Sequence, residues 1–263
     1  MRLPAVFVTD FGPLPAVEAD AYTEALGKLG SVLAKPKAIL VMSGHWEAEG
    51  IIAVSSAKKP GIAYDFTGFP NAFYELKYPC PGHPATALEV IRLLSAAGVP
   101  AKADATHRLD HGAWVPLSRM VPKANVPVVQ IAVPAGDPRL SFRIGQALSP
   151  LRDKGVLLMG AGALSHNLQL ALAHGKDDPA DKWAVDFDAW VSDKLTKGLV
   201  EDLFNYRNQA PSARLAAPTS EHFNPFFFAL GAASREPMRQ VYRGISYGNA
   251  LMKILLSGTL PEF

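Results

Sequence analysis

The chain has a single cysteine, Cys80, so it holds no internal disulfide framework and no thiolate metal cluster. That scarcity suits a reducing cytoplasm and leaves histidines and carboxylates as the donors for any metal. Long apolar runs are missing too: stretches such as 155–164 and 226–233 fall well short of the roughly 20 residues that cross a bilayer. The apolar run at the N-terminus meets an acid at Asp10, too early for a secretory signal. No block of lysine and arginine occurs and the net charge is +2, so neither nucleic acid nor a membrane is an expected partner. Repeats, low-complexity tracts and Gly/Ser linkers are absent, and the 22 prolines are scattered. Residues 1–263 therefore read as one domain.

What is present is a composition with 49% apolar and 19% charged residues, enough for a chain that folds on its own core. Short β-branched runs at 5–9, 37–43, 51–54, 126–133, 156–160 and 240–245 predict buried strands. Helical spacing predicts helices at 17–33, 84–97, 139–151, 181–205 and 221–232. In the second of these Ala87, Val90, Ile91, Leu94 and Ala97 share a face, and Gly98 with Pro100 ends the helix. In the fourth, Trp183, Phe187, Trp190, Val191 and Leu195 form a similar stripe, and both stripes read as core. The alternation predicts an α/β fold with a central mostly parallel or mixed sheet flanked by helices.

Four of the seven histidines fall where a strand runs out or a helix begins. His45 follows the apolar run 39–44, and His166 follows 156–162 with its Gly160-Ala161-Gly162 turn. The carboxyl edge of an open α/β sheet is where ligands bind, so two such histidines can converge. His111 follows Asp110, a helix-capping residue, and His222 is placed in the first turn of a helix capped by Thr219. Spacing over more than a hundred residues is no metal signature, so a metal site and four structural histidines both stay open on this ground. His83, His107 and His174 lie in turn-like surroundings and are expected to be surface or structural residues.

Five segments, Ser43-Gly44-His45-Trp46, Tyr64 through Pro70, Leu109 through Trp114, Ser165-His166-Asn167-Leu168 and Glu221 through Pro225, occur in order along the chain. In them the chain resembles the class III extradiol ring-cleavage dioxygenases with a LigB-type catalytic subunit, in their DOPA 4,5-dioxygenase branch. The resemblance implies an α/β enzyme with a non-haem metal, Fe(II) when active and often Zn(II) as isolated. It implies a catechol-type substrate opened with O2. By position it makes His45 and His222 metal ligands, and His166 the acid/base residue and a candidate fourth ligand. His111 becomes a pocket histidine contacting substrate or oxygen, and Tyr64, Asp65 and Phe69 belong to a substrate-binding wall.

Two positions depart from that pattern. Asp10 stands where the first strand of these enzymes ends in a ligand histidine, and Tyr64 stands where a histidine usually precedes Asp65. A carboxylate at Asp10 would complete a two-histidine, one-carboxylate set of the kind that suits ferrous iron. Its reach is about 1 Å shorter than that of an imidazole, against a tolerance of roughly 0.2 Å in ligand distances, which argues for a weak or absent metal. Asp10 capping a turn with Gly12 is the third reading. Two rivals accompany the oxygenase: a zinc hydrolase using the same residues, and a non-catalytic relative that binds an aromatic or a protein. A homodimer is the default for a chain of this kind.

Overall fold

Strands whose side chains are buried on both faces need near-continuous apolar runs, and this chain supplies them at its centre. The structure is a computed structural model, described here for residues 2–258. Its strands are β1 (Ala5–Thr9), β2 (Ala38–Ala48), β3 (Ile52–Ser55), β4 (Ala101–Asp104), β5 (Val128–Pro134), β6 (Val156–Gly162), β7 (Met238–Ser246) and β8 (Ala250–Ser257). They form one sheet in the order β4-β3-β5-β2-β6-β1-β8-β7. β5, β2, β6 and β1 run parallel, while β3 is antiparallel to β5 and β8 to both β1 and β7, so the sheet is mixed.

The helices are α1 (Ala21–Val32), α2 (Pro84–Ala96), α3 (His111–Met120), α4 (Pro138–Leu148), α5 (Leu168–Ala171) and α6 (Lys182–Thr196). They continue with α7 (Val200–Phe204), α8 (Tyr206–Gln209), α9 (Ala213–Ala216) and α10 (Asn224–Ala233). Alternate residues of the strands feed two cores. Phe7, Leu40, Met42 and Leu158 join Phe226, Phe227 and Phe228 of α10 on one face. Val6, Val8, Val41 and Met159 join Leu26 and Leu29 of α1 and Trp114 of α3 on the other. Among the described residues no helix is long and apolar enough to cross a membrane.

The start of α10 lies unusually close to the backbone of β6. A Cβ at Gly160 would lie 2.0 Å from the carbonyl oxygen of Pro225, and one at Gly162 would lie 2.2 Å from that of His222. Only glycine lets the helix press against the strand in this way, and the Ala163 N–H donates to the His222 carbonyl at 2.7 Å.

The structure corrects several boundaries. α1 begins at Ala21, not residue 17, because Asp20 and Thr23 form a reciprocal cap. The helix expected over 139–151 ends at Leu148 and tightens into a 3-10 turn over Ser149–Lys154. The helix expected over 181–205 breaks after Thr196, where Gly198 takes a positive φ of 67°. α10 begins at Asn224, so Thr219 is not its cap and His222 lies in the turn ahead of it, where Phe223 and Asn224 both donate to the Ser220 carbonyl. β4 and β8 fall outside the expected strands. β8 carries Lys253, whose charge interrupts the apolar pattern; in the fold that ammonium is buried against the Asp188 carboxylate.

Gly160→Ala is expected to cost roughly 1–3 kcal/mol by forcing α10 off β6. Denaturant unfolding measures this, and an unchanged midpoint would mean that the helix does not bear on the strand as described.

Candidate metal centre

Three polar side chains are carried to one point by elements that the sheet order makes neighbours. β1 ends at Thr9, and the Asp10 N–H donates to the Gly162 carbonyl at 2.7 Å, which anchors Asp10 at the carboxyl edge beside β6. β2 runs on to Ala48, so His45 lies within the strand and not at its end; the register with β5 slips between Ser43 and Glu47, and His45 sits in that irregularity. Such slips re-aim side chains near sites. His222 is held by its own carbonyl on Ala163.

The result is compact. His45 Nε2 lies 2.7 Å from Asp10 Oδ2 and 3.3 Å from His222 Nε2, and the three donor atoms all lie within 4.8 Å of one another. Asp10 and His222 are buried, and Asp10 Oδ1 is buried without a hydrogen-bond partner. Donors about 2.0–2.2 Å from a common ion stand at these separations. An orphaned carboxylate oxygen among imidazole nitrogens fits a divalent cation, and the shorter reach of aspartate does not keep it from the cluster. Space for this meeting depends on Gly112, where a Cβ would lie 2.4 Å from Ser43 Oγ and 2.8 Å from Asp10 Oδ2.

The electrostatics follow from the burial. Burial opposes ionisation of Asp10, yet the charges of His111 and His45, the hydrogen bond with His45 and the charge of His222 hold it well below the usual carboxylate range. His45 is likewise opposed by burial, and Asp10, Asp110 and Asp65 raise it to about 9. Glu221, part of a resembling segment but given no role from the sequence, meets His222 Nδ1 at 3.0 Å and accepts from Thr219 Oγ1 at 2.7 Å. Burial works against its ionisation, but these hydrogen bonds bring it down to about 2. An ionised Glu221 accepts a hydrogen bond from the Nδ1–H of His222 and so orients its Nε2 toward His45. A carboxylate next in sequence to a candidate ligand was the available signal.

His166 stacks on the His222 ring, with centroids 3.5 Å apart and planes at 10°. Burial first, then the charge of His222, pushes it down to about 4, so it is neutral at neutral pH. His111 opens α3, which Asp110 caps by accepting from the Ala113 N–H. His111 Nδ1 stands 3.0 Å from Asp65 Oδ1, which also accepts the His111 backbone N–H at 2.9 Å. Asp10, His45, His111, His166, Asp65 and Phe69 share the wall of a cavity of about 610 Å³.

Tyr64 is not on that wall. Its hydroxyl donates to the Leu76 carbonyl at 2.6 Å and its ring packs on Phe66, Tyr74 and Trp114, so it supports the wall from behind. His83 caps α2 by accepting from the Thr86 N–H, and His107 lies flat on Trp46. His174 faces Asp178 and Asp181. None of these three lines the cavity.

Comparison with known proteins agrees with this arrangement. The family described as the catalytic LigB subunit of aromatic ring-opening dioxygenase matches residues 15–252. A "4,5-DOPA dioxygenase extradiol" from Portulaca grandiflora is 42% identical over 81% of this chain and 79% of its own length. A protein of the same name from Escherichia coli K12 is 37% identical over 95% and 93%. The crystal structure of an uncharacterized Escherichia coli K12 protein superposes with a TM-score of 0.82 at 34% identity, covering 98% of this chain and 100% of the other. With a match of that extent, the chain belongs to the LigB family of aromatic ring-opening dioxygenases and is an extradiol ring-cleavage dioxygenase of class III.

Proposed function

We propose that this chain opens the ring of a catechol-type aromatic with O2, using one Fe(II) held by Asp10, His45 and His222. The observation that carries the proposal is the meeting of one buried, ionised carboxylate with the imidazole nitrogens of His45 and His222, at the edge of a cavity whose wall includes Asp10 and His45. A bound ferrous ion would supply Lewis acidity for the catechol hydroxyls and redox chemistry toward dioxygen. Zn(II) suits the same donors and is the metal to expect in protein prepared without iron.

The protein's own groups account for proton handling and orientation. His166, neutral and beside His222, accepts a catechol proton at an imidazole nitrogen and returns it to the ring-opened product. Its lowered basicity rises once an anionic oxygen stands next to it, because a nearby negative charge favours the imidazolium. His111 is anchored through its backbone N–H, which donates to Asp65, and its ring lines the cavity against that of His45. There it donates to developing negative charge. Phe66 and Phe69 stack edge to face at 5.5 Å and close the cavity with an apolar surface that excludes water from the reacting ring.

The zinc-hydrolase reading finds no support in relatives named as dioxygenases, and the assembled donors speak against a non-catalytic binder.

Asp10→Ala is expected to weaken metal binding on the order of a hundredfold, read as metal content after dialysis against a competing chelator. Retention of a full equivalent of iron would remove Asp10 from the ligand set. His166→Ala is expected to lower kcat for catechol opening by on the order of 10²–10⁴ while anaerobic catechol binding changes little. A parental kcat in this variant would end its acid/base role.

A further inference from the structure

Aspartate reaches about 1 Å less far from the backbone than histidine, and a metal ligand must stand within roughly 0.2 Å of its required distance. With Asp10 as a donor, the backbone that carries it has little freedom. The peptide group joining Thr9 to Asp10 is gripped at both edges. Its N–H donates to the Gly162 carbonyl of β6 at 2.7 Å, and its carbonyl accepts the hydroxyl of Tyr22 from α1. In a trans peptide these two groups point in opposite directions, so the two bonds together fix the tilt of the plane from which Asp10 departs.

Both partners of the Tyr22 hydrogen bond are themselves held. Tyr22 lies in the first turn of α1, where Asp20 accepts from the Thr23 N–H and Thr23 Oγ1 accepts from the Asp20 N–H, both at 2.9 Å. Lys176 Nζ binds the same Asp20 at 2.7 Å and Glu18 at 2.6 Å, which ties the start of the helix to the segment after α5. The Tyr22 ring is buried against that of Tyr242, with centroids 5.4 Å apart. Thr9 Oγ1 donates to the Leu251 carbonyl at 2.8 Å and accepts from the Lys253 N–H at 2.9 Å. These bonds take over from the β1–β8 ladder, which ends at the Val8–Ile254 pair. A phenylalanine at position 22 would fill the same apolar surround beside Leu26 and Leu29, so the hydroxyl is the part that core packing does not require.

We infer that Tyr22 is a positioning residue of the metal centre: through the Thr9 carbonyl it holds Asp10 where the carboxylate can share an ion with His45 and His222. The inference rests on the ligand set of the proposed function. Tyr22 is not on the cavity wall, so its hydroxyl acts through Asp10 and not on substrate.

The test measures Fe(II) affinity without oxygen, by competition with a chelator, for the parent, Tyr22→Phe, Asp10→Ala and the double variant. The visible spectrum of each Co(II)-loaded protein is recorded alongside as a report on ligand geometry. Tyr22→Phe is expected to bind Fe(II) about tenfold more weakly than the parent and to shift the Co(II) bands, as loss of groups behind metal ligands does. In the Asp10→Ala background the same change is expected to leave affinity where it was, because the residue it positions is gone. Parental affinity in Tyr22→Phe would overturn the inference. So would a loss that leaves the Co(II) spectrum unchanged or that recurs in full in the Asp10→Ala background, since either marks a general loosening of the fold. If the parent holds no Fe(II), or Asp10→Ala holds it as the parent does, the proposed ligand set fails and takes the inference with it. If Asp10→Ala loses the metal and Tyr22→Phe does not, the ligand set stands and the inference alone fails.

Discussion

The arrangement at the carboxyl edge of the sheet depends on one ionised carboxylate kept almost wholly out of water. Removing a carboxylate from solvent costs several kcal/mol unless opposite charge and hydrogen bonds answer it. Asp10 meets that cost with His45 at 2.7 Å and the nearby charges of His111 and His222, while one of its oxygens stays without a partner. A fold that carries such an oxygen in its interior is under pressure to place a cation there. Around this point Gly112 keeps a side chain out, and Glu221 orients His222 from the far side.

The sheet makes that meeting geometrically available. Parallel pairing of β1 with β6 and of β2 with β6 brings the ends of strands distant in sequence within a few ångströms. The glycines of β6 then let the turn before α10 come down on the same edge. The carboxyl edge of a parallel core is where the loops of such a fold converge, so the donors come from the residue after β1, from the irregular stretch within β2 and from the turn ahead of α10. The aromatic and leucine wall is contributed by loops that follow β1, β3 and β6 and by the tight turn between β7 and β8, where Tyr247 takes a positive φ of 50°. The chemistry-bearing groups are thus on the rigid frame, and the ligand-facing surface is on the more variable connections.

Departure from the family pattern at Asp10 has a local physical answer. Aspartate is shorter than histidine, yet its backbone is tied to Gly162 and its oxygen still reaches His45 Nε2. The carboxylate raises the basicity of His45, and as a donor it would lower the charge of a divalent ion held there. Tyr64 answers the second departure differently: in an extended segment neighbouring side chains point to opposite sides, so Asp65 faces the cavity and Tyr64 the support behind it.

Much of this was legible in the residues themselves. Apolar runs located six of the eight strands, while the resemblance in five segments, and not the spacing of the histidines, implied the ring-opening chemistry and proposed Asp10, His45 and His222 as donors. Local patterns carry that much because burial on a strand and capping of a helix are decided by a few neighbouring side chains. The meeting of Asp10 with His45 and His222, the support from Glu221 and the turned-away Tyr64 were decided only by tertiary structure. Each depends on strand order and on backbone contacts between residues far apart in the chain, and no short-range periodicity encodes those. β8 was hidden for the same reason, since the charge of Lys253 reads as solvent-facing until Asp188 is brought against it.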